Sequence, residues 1–166
     1  MSKIVFFDID GTLHYSGIGI PQSAVKAVNQ LIANGHKAVM CTGRSKGMMP
    51  EEYFHMGFHG MILGAGAYVE YEGKVIHREL MTKQEVQTVI DWGKKQKIGI
   101  ILEGEQHGYY DPDNHDDYYV AMKNKTEVDC ETTLYPISEA VDVAKWTYHH
   151  MDLDLKPEIE EILGHK

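Results

Sequence analysis

Two cysteines, Cys41 and Cys130, are all that the 166 residues contain. Their number and spacing exclude a disulfide framework and any paired-cysteine metal or redox motif. Basic residues are scarce too: 16 Lys and Arg against 25 Asp and Glu leave a net charge of −9. An acidic chain without a basic patch repels phosphate backbones and anionic lipid, so neither nucleic acid nor a membrane is an expected partner. No apolar run approaches the roughly 20 residues that cross a bilayer. The opening Met1-Ser2-Lys3 leads into only Ile4-Val5-Phe6-Phe7 before an acid, too short for a secretory leader. A cytoplasmic chain is the expectation. What is present is globular composition, 43% hydrophobic and 25% charged, which excludes disordered, collagenous and low-complexity classes.

The first half alternates strand and helix. Ile4 to Phe7 reads as a strand buried on both faces. Pro21 opens a helix, and Ala24, Val25, Ala27, Val28, Leu31 and Ile32 give it a 3.6-residue apolar stripe, with Gly35 placed for a left-handed stop. Lys37 to Cys41 is a second strand, Ser45 to Met56 a further helix and Gly60 to Leu63 a third strand. Strands separated by helices in this order imply parallel pairing with right-handed crossovers. Tyr68 to Tyr71 and Lys74 to His77 then form a hairpin about Glu72-Gly73. From Thr82 the pattern changes. Thr82 and Glu85 fit a capping box ahead of a helix carrying Val86, Val89 and Ile90. Strands are expected at Ile98 to Leu102, His107 to Tyr110 and Val143 to Tyr148, with helices at Asp116 to Lys123 and 157–163. The boundary falls near residues 78 to 83.

The chemistry concentrates in Asp8-Ile9-Asp10-Gly11-Thr12-Leu13, directly after the first strand. Ligands of open parallel sheets bind beyond the carboxyl ends of the strands. Two carboxylates one residue apart at that edge can divide their labour: one attacks an electrophile and binds a hard cation, the other moves a proton. Gly11 permits a sharp turn and Thr12 can bond it locally. At ordinary residue usage such a six-residue pattern is rare by chance in a chain of this size. Thr42-Gly43-Arg44 follows the second strand, so Thr42 should lie beside Asp8. A hydroxyl and an exposed backbone N–H there can hold a phosphate oxygen.

These residues resemble the haloacid-dehalogenase superfamily of phosphotransferases, closest to its Cof-type branch of Mg²⁺-dependent phosphatases with a large C2-type α/β cap. Asp8-Ile9-Asp10-Gly11-Thr12-Leu13 is similar to the family's first motif and Thr42 to its second. Ile20-Pro21, Asn34-Gly35-His36 and the hairpin around Tyr68 to Ile76 extend the likeness. The resemblance implies an α/β fold: a partial Rossmann-like core with a parallel sheet in residues 1–80, then a partial α/β cap in 81–166. It implies that Asp8 attacks a phosphate monoester to give an aspartyl-phosphate and that Asp10 serves as acid and then base. Asp8, Thr42 and Gly43 would hold the phosphate, and Asp8 and Asp10 would hold Mg²⁺. Two departures accompany it. Ala65-Gly66-Ala67 stands where the branch usually has Asn-Gly-Ala. The family's third motif, a Lys, and its fourth, an acidic pair completing the Mg²⁺ site, follow the cap. Lys145, Asp152 and Asp154 sit in contexts unlike those motifs and take neither role.

Other signals are weaker. Asp111-Pro112-Asp113-Asn114-His115-Asp116-Asp117 departs from an EF-hand loop and reads as a solvated helix cap. His149-His150 with Asp152 and Asp154 makes a poor metal set, since adjacent strand residues point to opposite faces. Trp92, Tyr109, Tyr110, Tyr118 and Tyr119 read as core or surface aromatics rather than a base-stacking platform. The leading expectation is a phosphatase acting on a small phosphorylated metabolite, with sugar phosphates among the candidates and phosphomutase action disfavoured. The alternative is a catalytically incompetent protein keeping only a phosphate and Mg²⁺ half-site. Self-association through an incomplete sheet is a further expectation.

Overall fold

The computed structural model describes residues 1–148 together with Pro157, Glu158 and Glu161. The apolar pattern of the first half folds as a five-stranded sheet in the order β1-β2-β3-β4-β5. Its strands are β1 (Ile4–Phe7), β2 (Lys37–Cys41), β3 (Gly60–Leu63), β4 (Tyr68–Tyr71) and β5 (Lys74–Arg78). β1, β2 and β3 pair in parallel. β4 and β5 complete the sheet as an antiparallel hairpin. The hairpin turns on Glu72 and Gly73, both at positive φ (49° and 75°), as a tight right-twisting connection requires. Helix α1 (Gln22–Ala33) starts after Pro21, and Gly35 at φ +80° ends it. Four of the six predicted stripe residues, Ala24, Val28, Leu31 and Ile32, join Ile9, Ala38, Met40 and Leu63 in the core, while Ala27 is exposed.

Two expectations fail in this half, each for a definite reason. β1 is not buried on both faces: Ile4 is 55% and Phe6 59% exposed. Among the described residues it is the edge of the sheet, paired with β2 alone, and one of its faces lies open. The helix expected over Ser45 to Met56 is two 3-10 turns, Lys46–Met48 and Glu51–His55. Pro50, without an N–H, separates them.

The second sheet has the order β8-β7-β6-β9, built from β6 (Ile100–Gly104), β7 (Gly108–Tyr110), β8 (Leu134–Pro136) and β9 (Val143–Tyr148). Helix α2 (Lys83–Gln96) begins with the predicted capping box: Glu85 N–H donates to Thr82 Oγ1 at 3.2 Å and Thr82 N–H to Glu85 Oε2 at 2.7 Å. Helix α3 (Asp117–Asp129) is capped by Asp116, whose carboxylate accepts from Tyr119 N–H, and it runs six residues beyond its expected end at Lys123. Trp92 and Tyr109 lie in the core of this half and Tyr119 in a cluster with Ile101, Met122 and Leu134. β8 had no counterpart in the sequence reading.

The halves meet through the segment after β2. Met48 joins that last cluster, and Gly47 lies so close to Gly104–His107 that a Cβ on it would fall 2.4 Å from His107 N. Of the helix expected over 157–163, Pro157, Glu158 and Glu161 are helical. The rest lies outside the described residues, as do His149, His150, Asp152 and Asp154. No helix among the described residues is long and apolar enough to cross a membrane.

Candidate functional site

The chain leaves β1 at Phe7 with alternating exposure: Asp8 exposed, Ile9 fully buried, Asp10 exposed. Ile9 is the anchor. Its side chain is in the core, and its carbonyl accepts from the N–H groups of Thr12, Leu13 and His14 at 3.2, 2.9 and 2.8 Å. Closing so tight a turn needs Gly11 at φ +74°, a conformation costly for residues with a Cβ. Leu13 returns to the core, so the two acids stand on a loop pinned at both ends.

Phe7 lies opposite Met40 in the parallel register, so Asp8 and Thr42 emerge at the same carboxyl edge. Thr42 is strapped to the end of β3, donating its N–H to the Ile62 carbonyl at 2.9 Å. Its Oγ1 accepts from Arg44 N–H at 3.2 Å, which leaves the hydroxyl proton to donate elsewhere. Gly43 is exposed, with nothing within 4 Å of where a Cβ would be. The loop after β3 completes the edge: Gly64 N–H bonds the Arg44 carbonyl at 2.7 Å, and Ala65 sits at φ +56°.

Arg44 belongs to the quoted tripeptide but received no role from sequence reasoning. It is 7% exposed and grips Asp10 in a two-pronged pair, Nε to Oδ2 at 2.9 Å and Nη2 to Oδ1 at 2.6 Å. Nη2 also donates to the Asp129 carbonyl at 2.9 Å, tying the Asp10 loop to the end of α3. Burial pulls the Arg44 pKa down, but the hydrogen bond to Asp10 and nearby negative charge outweigh it, and the net shift is upward. Its cation is permanent. In this pair both carboxylate oxygens of Asp10 accept hydrogen bonds from the guanidinium.

Residues of the second sheet face the same edge. Lys145 on β9 places Nζ 2.7 Å from the Gly43 carbonyl and 3.0 Å from Glu103 Oε1. Glu103 on β6 also accepts from Thr147 Oγ1 at 2.8 Å and from Ser45 N–H at 3.3 Å. Sequence reasoning passed over Glu103 and weighed Lys145 only against the family's later motifs, giving it no role. The available signal was Glu103 itself, an acid directly after the apolar run Ile100–Leu102. Cys130, buried nearby, is no nucleophile: burial pushes its thiol up to about 11. On the far side of the loop His14 Nδ1 lies 2.5 Å from Tyr53 Oη, both residues buried.

Asp8 and Asp10 offer the hard oxygen donors that Mg²⁺ takes. Among the described residues no group of three or more His, Cys, Asp or Glu is placed to hold a metal. Mg²⁺ commonly uses one or two carboxylates and fills its remaining positions with water and phosphate oxygens, so these two residues fit as part of a shell.

A parallel sheet that gathers two carboxylates and a hydroxyl-bearing loop at one carboxyl edge belongs to the ligand-binding α/β proteins. The family model for haloacid dehalogenase-like hydrolases matches residues 5–163. The chain belongs to that family. It is 29% identical over 104 residues to "Putative phosphatase YkrA" of Bacillus subtilis (strain 168), covering 63% of this chain and 40% of that protein. The crystal structure of a hypothetical protein from Geobacillus kaustophilus HTA426 superposes with a TM-score of 0.74 at 23% identity, over 97% of this chain and 62% of that one. The subclass IIB sugar phosphatase BT4131 gives 0.70 at 22% identity, over 97% and 63%. The two structural likenesses establish the shared fold. In each comparison the chain spans less than two thirds of its relative's length.

Proposed function

We propose that this chain carries the nucleophile half of a phosphatase for small phosphate monoesters, with the first sheet as catalytic core and the second as cap. The observation that carries the reading is the gathering of Asp8, Asp10, Thr42 and Gly43 at one carboxyl edge, with Asp10 held by a buried arginine. The Thr42 hydroxyl and the Gly43 N–H seat the phosphate oxygens. An Asp8 carboxylate oxygen attacks phosphorus, a new O–P bond forms and the ester O–P bond breaks. Asp10, released from Arg44 and protonated, gives its proton to the departing alkoxide. As carboxylate it then takes a proton from the water that attacks the aspartyl-phosphate, returning Asp8 and inorganic phosphate. The Asp8 carboxylate and the Asp10 backbone carbonyl would hold Mg²⁺, which supplies charge neutralisation between an anionic nucleophile and an anionic substrate. The sugar phosphatase among the relatives makes sugar phosphates the first substrates to try. Two unpaired thiols, Cys41 and Cys130, suit a reducing cytoplasm.

That no group of three metal-ligating side chains forms among the described residues favours a second reading, a catalytically incompetent half-site. One experiment separates them: Mg²⁺-dependent hydrolysis of an aryl phosphate by this chain and by Asp8→Asn. Activity that disappears in the variant supports the enzyme. Equal background in both leaves the half-site.

A further inference from the structure

A polar side chain in an apolar core needs a reason, because every buried donor or acceptor left unmet lowers stability. His14 and Tyr53 are 3% and 2% exposed. His14 Nδ1 lies 2.5 Å from Tyr53 Oη, and His14 Nε2 is buried without a partner among the described residues. Tyr53 otherwise packs in the apolar cluster of Ile9, Leu13 and Met49. Two apolar side chains of similar shape would fill this space and leave nothing unmet.

Burial pushes Tyr53 up to about 12, so its hydroxyl keeps its proton at neutral pH. If that proton goes to Nδ1, the ring's own proton sits on Nε2 and one donor stays unmet. If Nδ1 donates instead, the Tyr53 proton and a bare Nε2 are both unmet. The first arrangement leaves fewer groups without partners.

What the pair joins gives it a purpose. His14 closes the acid loop in both directions, donating its N–H to the Ile9 carbonyl at 2.8 Å and accepting from Gly11 N–H at 3.0 Å. Tyr53 lies on the 3-10 turn Glu51–His55, in the stretch that begins with Thr42. The same stretch supplies Arg44, which holds Asp10. The acid loop is thus tied to that stretch twice, at Asp10 and at His14. In the proposed cycle Asp10 leaves Arg44 to carry a proton, and the tie that remains is His14 to Tyr53.

We infer that His14 and Tyr53 are positioning residues: a hydrogen bond from Tyr53 Oη to His14 Nδ1 holds Asp8 and Asp10 in place opposite Thr42, at a cost in stability. The functional sense of that placement rests on the phosphatase reading of Asp8 and Thr42.

The test uses NMR of the full chain, with thermal unfolding alongside. In the unaltered chain the His14 ring nitrogens should show Nε2 protonated and Nδ1 bare. Tyr53→Phe and the double variant His14→Leu with Tyr53→Phe are then titrated with Mg²⁺, followed at the Asp8 and Asp10 amides. The double variant removes both polar partners, so its Tm should equal or exceed that of the unaltered chain. Its Kd for Mg²⁺ should nevertheless rise about tenfold, as should that of Tyr53→Phe, the effect of one lost hydrogen bond. Side chains that merely fill the core would leave Mg²⁺ binding intact wherever Tm is intact. Unchanged affinity in either variant, a Tm that falls together with affinity in the double variant, or a ring protonated at Nδ1 overturns the inference. If Mg²⁺ moves neither amide in the unaltered chain, the phosphatase reading fails by itself. Exchange of the Leu13 amide then decides the positioning: it stands if exchange is about tenfold faster in the double variant and falls if the rate is unchanged.

Discussion

The Arg44–Asp10 pair makes a quantitative demand. Its two prongs, at 2.9 and 2.6 Å, are charge-assisted hydrogen bonds, each worth roughly 1.5–3 kcal/mol where water is excluded. The Arg44 side chain is 7% exposed but Asp10 is 55% exposed, so water competes for one partner. The coupling therefore belongs between the roughly 0.2–1 kcal/mol of surface pairs and the 3–5 kcal/mol lost when a buried pair is broken. A double-mutant cycle of Arg44→Met and Asp10→Asn, followed by urea unfolding, should return a coupling of about 1–2 kcal/mol. Arg44→Met alone also removes the donor to the Asp129 carbonyl, and should cost about 2–3 kcal/mol, or about 5–10 °C in Tm for a chain of this size. A coupling below about 0.3 kcal/mol would refute the reasoning, because the pair would then be no stronger than two solvated charges.

Three other outcomes follow from the same structure. Gly47→Ala puts a methyl 2.4 Å from His107 N and 2.5 Å from Gln106 C, both backbone atoms. The loops must separate, and denaturant unfolding should show a loss of about 1–3 kcal/mol. Ala65→Gly should do the reverse, since exposed Ala65 occupies the left-handed region at φ +56°. A gain of about 1 kcal/mol is expected, and an unchanged urea midpoint would remove the strain argument. Burial pushes Tyr53, Tyr68 and Tyr119 up to about 12. Their unfolded-state value is 10.0, so between these limits the unfolded chain holds fewer protons and stability falls as pH rises. Full stability below pH 10 and unfolding accompanied by tyrosinate absorbance between about 10 and 12 are expected; three tyrosines that ionise reversibly at 10 without unfolding would contradict it.

What was legible in the sequence was local. The parallel order of β1, β2 and β3 followed from apolar runs read as separated by two helices, although the second of these proved to be two 3-10 turns. The hairpin followed from Glu72-Gly73, and the start of α2 from Thr82 and Glu85. The acids after β1 were legible because a single strand end sets their spacing and Gly11 marks the turn. Burial was less legible: Ile4-Val5-Phe6-Phe7 reads as a core strand, yet exposure depends on what pairs with β1 from elsewhere. Pro50, which has no N–H to give, overturned the helix expected across it, and Met48 on one flank packs into a cluster of the second sheet.

The contact between the two sheets was out of reach for a different reason. Glu103 and Lys145 are 42 positions apart and meet because β6 and β9 pair antiparallel with Glu103 opposite Lys145. Lys145 in turn reaches Gly43 across 102 positions. No periodicity encodes such a meeting, and a motif-based search asks only whether Lys145 stands in a known context. It does not, yet its ammonium bonds the Gly43 carbonyl. Residues that attack or protonate must sit at fixed offsets from a strand end and so leave a pattern. Residues that join the two sheets need keep no such offset, and any pair of neighbouring strands can supply them. That asymmetry is why Asp8 and Asp10 could be proposed from six letters while the meeting of Glu103, Lys145 and Thr147 required coordinates.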